Sequence, residues 1–89
     1  MLKAAEAGDL TAVKALLAQG ASPNAMGENG ITPLMWAADK SHKDVCELLI
    51  SKGSDINAKD KDDKTALKYA IENKNNDVAD FLRSKGAKE

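Results

Sequence analysis

The strongest constraint on the fold is internal to the chain. Offset by 33 residues, the sequence agrees with itself at 15 of 56 overlapping positions. Chance gives roughly three or four at ordinary residue frequencies. The agreements are spaced like structure. Gly20, Gly53 and Gly86 coincide, as do Leu16, Leu49 and Leu82, and Ala4, Ala37 and Ala70. Asn24-Ala25 returns as Asn57-Ala58, Thr32 and Leu34 as Thr65 and Leu67, and Asp44-Val45 as Asp77-Val78. A period of this length points to a row of equivalent units, each one supersecondary motif.

The middle unit can be read residue by residue. Thr32 suits a helix N-cap, where its hydroxyl accepts from a free amide of the first turn. Pro33 follows at the first helical position, where its missing N–H is no loss. The spacing predicts a helix to about Lys40, a break at Ser41 and His42, and a second helix from about Lys43. Asp44 favours that helix start by its charge. Val45, Leu48 and Leu49 give it an apolar stripe, and Gly53 ends it. The segment SDINAKDKDDK is too polar and broken for a third helix and reads as an exposed turn. Neither helix can bury its stripe alone. Stacked units would bury Val13, Leu16, Leu17, Leu34, Ala37, Ala38, Val45, Leu48, Leu49, Leu67, Ala70, Val78, Phe81 and Leu82 in one continuous core.

These residues resemble the ankyrin repeat. The match runs T32-P33-L34-M35-W36-A37-A38, then V45-C46-E47-L48-L49-I50, then G53-S54-D55-I56-N57-A58, and the pattern covers nearly the whole chain. The resemblance implies an all-α solenoid of helix–turn–helix units joined by β-hairpin-like finger loops. It divides the single domain, residues 1–89, into an N-terminal capping repeat (1–29), a full repeat (30–62) and a C-terminal capping repeat (63–89). Three departures from the pattern matter. Met35 replaces the family's histidine, so the usual side-chain bond to the threonine is expected to be absent. Ser41 and Lys74 stand where the family prefers glycine between helices, at a cost of about 1 kcal/mol each if the backbone is left-handed there. Asp63 replaces the glycine of the finger turn, a conformation aspartate tolerates better than most residues.

Composition excludes several functions. The net charge is −1, so there is no bulk electrostatic attraction to nucleic acid or an anionic membrane. No apolar run approaches the ~20 residues of a membrane span. The one cysteine, Cys46, allows no intrachain disulfide, which fits a reducing, cytoplasmic setting. No Gly-rich phosphate loop, metal-spaced Cys/His set or nucleophile elbow occurs, so no cofactor, metal or catalytic residue is assigned. His42 and Cys46 are four apart, but the thiol fits a core position better than a nucleophile. In the resemblance His42 links the loops of neighbouring repeats. The acidic run from Asp55 to Lys64 fails as a calcium loop: its closing glutamate falls on Ala66 or Ile71 in the two registers tried. Its charges read as a solvated tip.

The resemblance implies a non-catalytic module that binds another protein through a concave groove and its finger loops. Carried over residue by residue, the first finger contributes Met26, Glu28, Asn29 and Ile31, and the second Lys59, Lys61, Asp62 and Lys64. The first helices contribute Asp39 and Lys40, then Glu72 and Asn73, with Glu6 as their counterpart in the first repeat. Trp36 and Tyr69, equivalent by the offset, are expected side by side near the groove floor. A monomer is expected. The alternative is a structural or self-associating piece of a longer or engineered ankyrin array, since the first repeat exposes alanines at its end.

Overall fold

The computed structural model describes residues 1–88. These form helices α1 (Leu2–Ala7), α2 (Leu10–Ala18), α3 (Pro33–Asp39), α4 (Lys43–Ser51), α5 (Ala66–Glu72) and α6 (Asn76–Ser84), and one short 3-10 turn at Glu28–Gly30. No strand occurs among the described residues. The second helices begin at Leu10, Lys43 and Asn76, each 33 residues after the last. The fold is therefore an all-α solenoid of three helix–turn–helix pairs. The first helices α1, α3 and α5 form one closely packed layer, and α2, α4 and α6 the other.

Local chemistry sets the helix starts. The Thr32 hydroxyl accepts from the Met35 N–H at 3.2 Å, and Thr65 repeats this with Lys68 at 3.2 Å. Asp9 caps α2 through the Ala12 N–H at 3.0 Å. The expected loss at Met35 does not occur. The Thr32 N–H donates to the Met35 sulfur at 3.4 Å, so the thioether, a weak acceptor, completes a reciprocal cap. Ser41 and Lys74 do adopt the left-handed conformation, at φ 63 and 57. Gly20, Gly53 and Gly86 share one backbone setting, at φ 93, 99 and 96.

Side chains stitch each unit to the next in register. His42 Nε2 donates to the Glu6 carbonyl at 2.9 Å, the carbonyl acceptor requiring a proton on that nitrogen. One repeat later Asn75 donates to the carbonyls of Ala38 and Asp39, at 2.8 and 3.1 Å. Gly8 sits beneath His42 at φ 71, and a Cβ there would lie 2.5 Å from the imidazole, so any side chain must displace it. On the other edge Asn24 donates to the Gly53 carbonyl and accepts from the Asp55 N–H. Asn57 does the same with Gly86 and Lys88.

The core holds Val13, Leu34, Ala37, Ala38, Val45, Cys46, Leu49, Leu67, Ala70, Val78 and Leu82 as expected, and adds Ala5, Met35, Ala66 and Ala79. Leu16, Leu17, Leu48 and Phe81 are only half-buried. Leu49 and Leu82 lie in units with a preceding unit packed against them, whereas the unit of Leu16 has none within these residues. Leu17, Leu48 and Phe81 flank the outer layer, where the helices stand farther apart than in the inner one.

Candidate interaction surface

The inner layer brings Trp36 of α3 beside Tyr69 of α5. The two rings, with Ile31, Met35 and Asp39, line a cavity of about 160 Å³. A larger concavity of about 690 Å³ adjoins it, bounded by Lys3, Glu6, Glu28, Asn29, Ile31 and Trp36 among others. Ile31 and Trp36 belong to both, so they form the ridge of a continuous apolar floor rimmed by charge. Both are half-buried.

The fingers stand above this floor. The first closes with the Gly27 N–H donating to the Ile31 carbonyl at 2.9 Å, and the second with Asp60 donating to Lys64 at 2.9 Å. The Lys61 N–H donates to the Asn29 carbonyl at 2.7 Å, which joins the tips. Asp63 turns the second finger at φ 61, as its place in the pattern implied.

Asp60 corrects the solvated-tip reading. It is 7% exposed, and its Oδ1 accepts from the Asp62 and Lys64 N–H groups at 2.8 and 2.9 Å. Its Oδ2 accepts from the Tyr69 hydroxyl. Burial acts to raise its carboxyl, but the Tyr69 bond and the two amides outweigh it and hold the group below the ordinary value. Tyr69 moves up, first by desolvation and then by the Asp60 carboxylate. Lys64 spans the same corner: it pairs with Glu72 at 3.1 Å, which raises its ammonium, and lies 5.5 Å over the Tyr69 ring.

The remaining candidates divide by position. Glu28 and Asn29 line the large concavity and Asp39 the small one. Asn73 donates to Asp39 at 2.6 Å and to the Tyr69 carbonyl at 3.0 Å, while Lys40 lies 3.8 Å from Asp39. Lys61 and Asp62 are exposed on the second finger. Met26 is 66% exposed yet lines neither concavity. Its equivalent Lys59 faces a separate depression with Asn57, Lys68 and Lys88. Leu2 and Lys3 line the floor without having been singled out; nothing in a helix-capping segment marks them locally. The Asn24 and Asn57 clamps were missed as well; the recurrence of both asparagines at the offset was the signal that could have found them.

Cys46 is 0% exposed, and burial, reinforced by Asp44 and Glu47, pushes its thiol up to about 12. The His42 imidazole is engaged with Glu6, not with sulfur. Among the described residues no group of three or more His, Cys, Asp or Glu side chains could hold a metal ion. No described helix is long and apolar enough to cross a membrane.

A family model for ankyrin repeats, in three copies, matches residues 1–89. No curated protein matches the sequence. Among solved structures, a chain of the complex of a predatory endopeptidase from Bdellovibrio bacteriovorus with an immunity protein is similar, with a TM-score of 0.92 and 40% identity. The similarity covers 98% of this chain and 46% of that one, so this chain spans about half its length.

Proposed function

The chain belongs to the ankyrin-repeat family, and from that premise we propose that it is a non-catalytic module holding another protein in its concave groove, with the fingers closing over the ligand. The observation that carries this reading is the half-exposed Trp36–Ile31 ridge between two adjoining concavities. An indole with one face on the core and one open suits a binding hot spot. The Tyr69–Asp60 bond and the Lys61–Asn29 bond support it, since a rigid floor and joined fingers lose little entropy on binding. That a similar chain occurs in a complex of two proteins supports a protein as the ligand class. Glu28, Asn29, Asp39, Glu72 and Asn73 set the polar rim, and Lys61, Asp62 and Lys64 the second finger. The outer units, 1–29 and 63–89, act as caps of the full repeat.

The test is affinity enrichment with the intact chain beside Trp36→Ala and Ile31→Ser variants, followed by titration of the protein recovered. Loss of binding by about 30-fold or more in Trp36→Ala, with the fold intact, is the expected result for a hot spot. A partner bound equally by all three chains contradicts the groove assignment.

A further inference from the structure

The convex face carries a second feature, unrelated to the groove. Leu17 and Leu48 belong in the core by periodicity, yet both are half-buried. With Ala18 they floor a cleft of about 300 Å³ between α2 and α4, walled by Lys14 and Lys52. Among the described residues no carboxylate lines it. Among the described residues neither lysine makes an ion pair.

The two cations stand on opposite banks. Lys52 corresponds to position 19 of the first unit (52 − 33), five residues beyond Lys14. At 1.5 Å per residue they are about 7.5 Å apart along the helix direction. A single carboxylate serves one bank at a time, whereas two on a helix can serve both. On an α-helix, the residue before an aliphatic side chain and the residue four after it lie on opposite flanks, also five positions and about 7.5 Å apart. Spacing, charge and the apolar floor therefore agree on one occupant.

We propose that the α2–α4 cleft docks an acidic amphipathic helix of a partner protein, with one aliphatic side chain on Leu17 and Leu48 and flanking carboxylates on Lys14 and Lys52. Because this face is opposite the inner helix layer, the chain can hold it while the groove is occupied.

The test is residue-resolved NMR of the intact chain, titrated with a capped alanine–glutamine peptide carrying Glu-Leu-Ala-Ala-Ala-Glu at its centre. A matched peptide with lysines for glutamates is the control. Saturable shifts of the Leu17 and Leu48 methyls with the acidic peptide alone are expected. The Lys14→Glu, Lys52→Glu double variant, altered only at exposed positions, should weaken this about tenfold and admit the basic peptide. Silence at Leu17 and Leu48 with millimolar acidic peptide overturns the proposal, as does an equal response to the basic one. Octanoate binding more tightly than the peptide assigns the cleft to amphiphiles instead. Concentration-dependent shifts at these leucines without peptide assign it to a second copy. Shifts at Trp36 and Tyr69 alone place the peptide in the groove and also overturn the proposal, without touching the groove reading.

Discussion

Tyr69 donates its phenolic hydrogen to the buried Oδ2 of Asp60, so one bond fixes a groove ring to the base of a finger nine residues upstream. Tyr69→Phe removes the donor and leaves a buried carboxylate with one oxygen unserved. Urea unfolding should show a loss of about 1.5–3 kcal/mol, the range for hydrogen bonds to charged groups. Asp60→Asn in the Tyr69→Phe background should cost much less than in the wild type, because the partner is already gone.

The same pair sets a pH window. Asp60 has a folded-state value below its unfolded value of about 3.9. Its stabilisation is therefore full above about pH 4 and fades as pH falls through the lower folded value. Tyr69 and Cys46 are raised, so their contributions are full below their unfolded values of about 10 and 8.5 and decline as pH rises beyond them. Stability should plateau between roughly pH 4 and 8.5. Thermal melts of Cys46→Val should show a shallower alkaline decline, and those of Asp60→Asn a shallower acid one.

Burial of Cys46 also sets its reactivity. Labelling by a thiol reagent at pH 8 should be at least about 100-fold slower in the folded chain than in denaturant, because reaction requires opening of the core. Fast labelling of the folded chain contradicts the core placement.

Ser41 and Lys74 hold left-handed backbone without being glycine. Ser41→Gly and Lys74→Gly should each stabilise the chain by about 0.5–1 kcal/mol, and the double variant by their sum, since the sites share no partners. Gly8→Ala should do the opposite and displace His42.

Much of the fold was legible before the coordinates. Thr32-Pro33 and Gly53 bounded the middle helices. The recurrence of Asn24 as Asn57 was visible, but the clamps they form depend on carbonyls and amides of the next unit. What escaped depends on distance through space. Asp60 stands in a run of acids and lysines that looks uniformly solvated; only the return of the chain at Tyr69 singles it out. The stripe of Leu17, Leu48 and Phe81 was visible, but helical periodicity carries no information on how far apart neighbouring helices stand. Met35 lacks the imidazole of the family pattern, yet its sulfur accepts from the Thr32 N–H.

The groove reading is tested most directly by Trp36 itself, the only tryptophan in the chain. Its emission should shift and saturate as the recovered partner, rendered free of tryptophan, is titrated in. An unchanged Trp36 spectrum at a partner concentration that saturates binding would contradict the account.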